Sequence, residues 1–167
     1  GIFFGGGAQS RILDTLLPQG QPTPLLLALR EAHRAGAVFA GTSAGAAVTS
    51  DVVFIDAMDP LAVMKGRLRE GVEYGRGLGF APPGLVVDQH FLKRGRIGRL
   101  LPLMLRTRQT LGIGVEEGSA AVIADGQIEV VGQRGSLFVD LSQATQDAGA
   151  GAFNVRDARL SFLDVGD

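Results

Sequence analysis

Ala37-Val38-Phe39-Ala40-Gly41-Thr42-Ser43-Ala44-Gly45-Ala46 is the stretch on which the fold turns. A four-residue apolar run leads straight into G-x-S-x-G and then into further small residues. The run reads as a short parallel strand buried on both faces, and the small residues after it start a helix. A sharp strand-to-helix turn of this kind pushes the Ser43 hydroxyl into the open, and small neighbours are needed because the backbone passes so close to itself. The bland reading is a Gly/Ser helix entry; the strand before the motif weighs against it. In the elbow reading the Ala44 amide points at an oxyanion site.

Upstream, Ile2-Phe3-Phe4 reads as a buried strand running into Gly5-Gly6-Gly7. The chain opens mid-pattern at Gly1, so it is expected to be a fragment of a longer chain that carries earlier elements. Ser10 is placed to cap a helix through Leu17 that Pro18 ends. Thr23-Pro24 gives an N-cap followed by Pro at the first helical position. Leu25, Leu26, Leu29, Ala32 and His33 follow at helical spacing, and Gly36 closes the helix.

Downstream, residues 51–83 hold Pro60, Gly66, Gly71, Gly75, Gly77, Gly79 and Pro82-Pro83, which break any long element. Leu85-Val86-Val87 is a strand running into Asp88-Gln89-His90-Phe91. Ile97, Leu100, Leu101, Met104, Leu105 and Arg108 mark an amphipathic helix, and Gly112-Ile113-Gly114-Val115 another inner strand. Residues 120–124 and 127–131 flank Asp125-Gly126, a hairpin signal. Strands follow at 137–141 and 160–163, separated by a Gly/Ala-rich loop at 148–152. Strand–helix alternation followed by late antiparallel strands predicts an α/β domain over residues 1–167, a mostly parallel sheet flanked by helices.

Composition narrows the chemistry. Sixteen Lys and Arg against 17 Asp and Glu leave a net charge of -1, which argues against nucleic-acid binding through bulk charge. No apolar run approaches a membrane span. With no Cys there is no disulfide, thiolate metal site or Cys nucleophile. Two histidines leave little room for a metal centre, and no metal or cofactor is expected.

A serine hydroxyl needs a base, and only His33 and His90 are available. His33 lies within a helical pattern between Glu31 and Arg34, where packing or solvation accounts for it. His90 follows a strand, at the end where open α/β sheets bind ligands, and is the candidate base. Glu116 and Glu117 follow the strand 113–115, and one of them is placed to orient the imidazole; adjacent carboxylates on extended chain point to opposite sides. The order Ser, His, Glu differs from that of α/β-hydrolases. Gly6-Gly7 offers a second oxyanion amide, with Gln9 in the same loop. Lys93, Arg94, Arg96 and Arg99 begin three residues after His90. Without interleaved aromatics they read as capture of an acidic substrate, and a solvated helix start accounts for some of them.

Together, the residues 41–46, Asp88-Gln89-His90-Phe91 with Arg94, Arg96 and Arg99, and Gly112-Ile113-Gly114-Val115-Glu116-Glu117 resemble the cyanophycinase family of serine peptidases, which also holds an aspartyl dipeptidase. The resemblance runs from Gly6 to about Gly132. It implies a fold like class I glutamine amidotransferases, with the family's first strand–helix units absent here. It further implies Ser43 as nucleophile, His90 as general base and Glu117 as the acid. Gln9, Asp88, Gln89, Arg94, Arg96 and Arg99 match substrate-pocket positions. The implied reaction is hydrolysis of cyanophycin, a poly-aspartate carrying arginine on its side chains, to β-Asp-Arg dipeptides. Short Asp-X peptides are the alternative substrate, and an inactive binding module of the same fold the alternative class. A cytoplasmic homodimer is the expected setting. The family carries Asp at the position of Ala8 and Asn-Thr at Gly118-Ser119.

Overall fold

In a computed structural model of the chain, residues 1–56, 59–147 and 153–167 are described; the Gly/Ala-rich loop expected at 148–152 lies outside them. The chain forms two compact units, Gly1–Met58 with Leu68–Val87 and Asp59–Arg67 with Asp88–Asp167.

The first unit is built on β1 (Ile2–Phe4) and β2 (Phe39–Gly41), a parallel pair with Phe3 opposite Ala40. Between them lie α1 (Gln9–Leu16), a 3-10 turn at Pro18–Gly20, and α2 (Pro24–Arg34). Thr23 caps α2 as its sequence demands: its hydroxyl accepts the Leu26 N–H at 3.3 Å. Gly36, at φ 98°, follows the helix end. A four-residue helix, α3 (Ala44–Ala47), follows β2 directly, and β3 (Val52–Phe54) pairs antiparallel with β4 (Tyr74–Arg76). The unit's core gathers Leu13, Leu16, Leu17, Leu26, Ala47, Val48, Val53, Leu78 and Phe80. Burying a leucine such as Leu26 contributes about 1.5–3 kcal/mol. Phe39 stacks on Phe4 and on Phe80, with ring centroids 5.3 and 4.3 Å away, and Phe4 and Phe80 lie 6.5 Å apart.

Three expectations change here. The N-cap of α1 is Ala8, with no side-chain cap, and Ser10 sits inside the first turn. The helix starts at Gln9, whose side chain is buried. In α2 only Leu26 is fully buried, while Leu25 is exposed; the helix meets the core along a narrower stripe than its apolar spacing suggests. The strand before the motif is Phe39–Gly41 and is not buried on both faces: Ala40 within it is exposed, and Val38 just before it is 72% exposed. Side chains alternate along a strand, so Phe39 enters the core while its neighbours face away from it.

In the second unit, Asp59 caps α4 (Pro60–Met64) by accepting the Leu61 N–H at 3.0 Å. β5 (Leu85–Gln89) carries the chain from the first unit into the second. It is followed by α5 (Ile97–Thr107), β6 (Leu111–Val115), β7 (Ser119–Ala124), β8 (Gln127–Gly132), β9 (Ser136–Asp140) and β10 (Arg159–Leu163). The sheet order is β10-β9-β6, with β5, whose last residues Asp88-Gln89 belong to this unit, completing it. β9 runs antiparallel to both β6 and β10. The β7–β8 hairpin turns at Asp125 (φ 51°) and Gly126 (φ 74°), the two positive φ values that a type I′ turn requires. Leu100, Leu103, Met104 and Ile113 are fully buried.

The architecture is α/β with mixed sheets rather than mostly parallel ones. β1–β2 is parallel, whereas the ladders β3–β4, β7–β8, β6–β9 and β9–β10 are antiparallel. Short connections such as Asp125-Gly126 can join only antiparallel neighbours. No helix among the described residues is long and apolar enough to cross a membrane.

Candidate active site

Two clusters hold the residues singled out by sequence, one in each unit. In the first, the parallel pairing of β1 and β2 brings together the segments that leave their C-terminal ends; the Thr42 N–H donates to the Phe4 carbonyl at 3.0 Å. Ser43 follows at φ 51°, ψ -115°, a conformation that L residues rarely adopt. Strain of this kind costs on the order of 1–3 kcal/mol and persists where surroundings impose it. The surroundings are visible: a Cβ on Gly45 would lie 2.2 Å from the Phe4 carbonyl oxygen, and one on Gly41 2.2 Å from the Gly45 carbonyl oxygen. Both glycines are needed for the backbone to fold back on itself. The Ala46 N–H donates to the Ser43 carbonyl at 3.0 Å as α3 begins. Gly6 passes beside the serine, since a Cβ there would be 3.8 Å from Ser43 Oγ. Gln9 is buried at the start of α1.

The second cluster surrounds His90, which follows β5 at φ 49°. Its Nδ1 lies 2.8 Å from Glu117 Oε1. The other carboxylate oxygen, Oε2, accepts from the Lys93 ammonium. Lys93 first and His90 second hold the Glu117 carboxyl below its ordinary range. An ionised carboxylate can only accept, so Nδ1 carries the proton of this hydrogen bond. The base-and-orienter geometry of hydrolytic triads has this form.

Glu116 does something else. It is 7% exposed. Its Oε2 accepts the N–H groups of Leu92 (2.7 Å) and Lys93 (3.0 Å), and its Oε1 that of Glu117 (2.8 Å). Burial pushes its carboxyl up, but these backbone donors together outweigh burial and hold it below the usual range. Of the two adjacent carboxylates, Glu117 meets the imidazole and Glu116 the backbone.

Asp88, Arg96 and Arg99 form a buried ionic cluster. Arg99, 1% exposed, grips Asp88 through Nε at 2.7 Å and through Nη2. Arg96 donates to the Gln89 carbonyl at 2.6 Å and lies 3.5 Å from Asp88. Burial, then the neighbouring Arg99 charge, lower the Arg96 guanidinium to about 10 against the pull of Asp88. The solvated helix start therefore describes Arg94, which is exposed, and not Arg96 or Arg99. Gln89 is also buried, and its Oε1 has no hydrogen-bond partner among the described residues. Phe91, fully buried, packs on Gly114, where a Cβ would stand 2.1 Å from the ring. His33 accounts for itself structurally: Nδ1 lies 2.9 Å from the Ala37 carbonyl, and its ring meets Phe80 edge-on at 5.5 Å.

Sequence reasoning gave Lys93 no place beside the carboxylates. The only signal was its spacing in the basic run, and spacing does not say which side chain folds back onto Glu117.

Known proteins share this chain's sequence at length. A cyanophycinase of Trichormus variabilis is 34% identical over 174 residues, covering 100% of this chain and 55% of the relative. A cyanophycinase of Synechococcus elongatus is 37% identical over 142 residues, covering 84% and 41%. The chain thus spans about half the length of the curated relatives it matches. The crystal structure of a peptidase from an acI-B1 Actinobacterium superposes with a TM-score of 0.59 at 26% identity, over 81% of this chain and 51% of that one. The model of peptidase family S51 matches residues 1–131, a stretch that includes the Ser43 elbow, His90 and both glutamates. The chain belongs to peptidase family S51.

Proposed function

We propose that the chain is the catalytic part of a serine-type peptidase that hydrolyses cyanophycin to β-Asp-Arg dipeptides. Ser43 Oγ attacks the carbonyl while His90 Nε2 takes its proton, and Glu117 holds the imidazole and stabilises its charged form. The amine leaves with the proton from His90; water, activated in turn by His90, releases the acyl group and restores Ser43. The amides of Ala44 and of Gly6 or Gly7 stabilise the oxyanion. Gln9, Asp88, Gln89, Arg94, Arg96 and Arg99 form the substrate pocket. Within it, Asp88, Arg96 and Arg99 are already tied to one another or to backbone. Gln89, whose Oε1 has no partner among the described residues, and exposed Arg94 are the members best placed to meet a substrate's guanidinium and carboxylate groups. The fold is that of class I glutamine amidotransferases, and the protein works as a cytoplasmic homodimer.

The observation that carries this reading is the His90–Glu117 hydrogen bond of 2.8 Å, in a chain whose strained elbow presents a serine. The substrate is supported by the cyanophycinase relatives. Assay of cyanophycin beside Asp-X dipeptides tests it. Release of β-Asp-Arg from cyanophycin, with Asp-X turned over at least about 10-fold less efficiently (a difference of 1.4 kcal/mol), is the expected outcome. Turnover of Asp-X alone overturns the substrate, and binding of cyanophycin with no turnover makes the protein a binding module.

A further inference from the structure

The turn that carries His90 is fixed by a carboxylate that no part of the triad accounts for. Leu92 and Lys93 have exposed side chains, yet both backbone N–H groups are bound to Oε2 of buried Glu116. Oε1 of the same carboxylate holds the Glu117 N–H. Lys93 therefore touches both glutamates, Glu116 through its backbone and Glu117 through its ammonium. Glu116 and Glu117 are adjacent in sequence, so the first carboxylate fixes the turn and the second meets what the turn presents. His90 sits at the head of this turn in the left-handed region, φ 49°, which a non-glycine residue holds only when its surroundings require it.

We propose that Glu116 is a positioning residue: it clamps the His90–Lys93 turn so that the imidazole and the ammonium reach the two oxygens of Glu117 together. The kinetic consequence rests on His90 serving as the base; the geometric one does not. Because all three partners of Glu116 are N–H donors, its amide is a poor replacement. A glutamine keeps one accepting oxygen and turns an NH2 group on the remaining donors. Aspartate keeps both acceptors on a shorter stem.

Amide hydrogen exchange and imidazole proton NMR test the clamp without substrate. In the wild type, the Leu92 and Lys93 amides are expected to exchange about 100-fold more slowly than freely exposed ones. The His90 Nδ1–H should give a low-field resonance that disappears in Glu117→Gln. In Glu116→Gln, protection of both amides should fall by at least about 10-fold, and the imidazole resonance should move upfield and broaden. With substrate, kcat should drop on the order of 10²-fold, the scale of a small misplacement of a catalytic group, at nearly unchanged KM, and Glu116→Asp should recover part of each effect. Fast exchange of the two amides in the wild type overturns the proposal. So does a Glu116→Gln protein that keeps both the imidazole resonance and kcat. If Glu116→Gln does not fold, Glu116→Asp carries the same readouts, smaller in size. A failed substrate assignment leaves the exchange and NMR results standing, so the two failures are distinguishable.

Discussion

Ser43→Ala is expected to lower peptide hydrolysis by roughly 10³- to 10⁶-fold while leaving the circular dichroism spectrum unchanged. The size follows from what the hydroxyl supplies. In the proposed mechanism no acyl-enzyme forms without it, and only oxyanion stabilisation and binding remain, which by themselves give about 10³- to 10⁴-fold over water in serine proteases. Alanine is tolerated structurally because what folds the elbow is the absence of side chains at Gly41 and Gly45. His90→Ala should cost as much as Ser43→Ala, and the double variant scarcely more, because the proposed nucleophile and base act as one unit. Glu117→Gln should cost less, on the order of 10⁴-fold at most. Steady-state kinetics of the four proteins checks the series, and additive losses would contradict a shared step.

Asp88→Ala is expected to give the largest loss of stability, about 3–5 kcal/mol in denaturant unfolding. Asp88 is the carboxylate gripped by Arg99, whose side chain is 1% exposed, and it faces Arg96 as well. Removing it strands positive charge in an interior that already disfavours it, as the lowered Arg96 guanidinium indicates. The pair itself is worth much less than the cost of breaking it, because both charges were desolvated to form it. Asp88→Leu combined with Arg99→Met should therefore be more stable than Asp88→Ala alone. A single variant that loses under about 1 kcal/mol would mean that the cluster behaves like a surface ion pair. Because Asp88 lies two residues before His90, the same substitution should also disturb the imidazole.

What could be read from the chain was what local chemistry dictates. Thr23-Pro24 is a cap by its own stereochemistry, and Asp125-Gly126 suits a turn with two positive φ values. Gly41-Thr42-Ser43-Ala44-Gly45 demands small residues because its own backbone fills the space. What escaped was decided by tertiary partners. Asp59-Pro60 is a cap signal of the same kind as Thr23-Pro24, but the helix it starts is only five residues long and lies among glycines that obscured it. The exposure of Val38, the burial of Arg96 and Arg99, and the placement of Lys93 on Glu117 depend on segments distant along the chain. A run of four basic residues looks the same in sequence whether its members face water or pair with Asp88. Likewise, Glu116-Glu117 offers two equal carboxylates until β6 fixes which one meets His90 and which one meets the turn.

In the proposed mechanism Ser43 is a nucleophile activated by His90. Peptide mass spectrometry after exposure to a fluorophosphonate, which reacts with activated serine hydroxyls, tests it most directly. The predicted result is one adduct, on Ser43, absent from Ser43→Ala and strongly slowed in His90→Ala. An unlabelled Ser43, or an adduct on another serine, would contradict it.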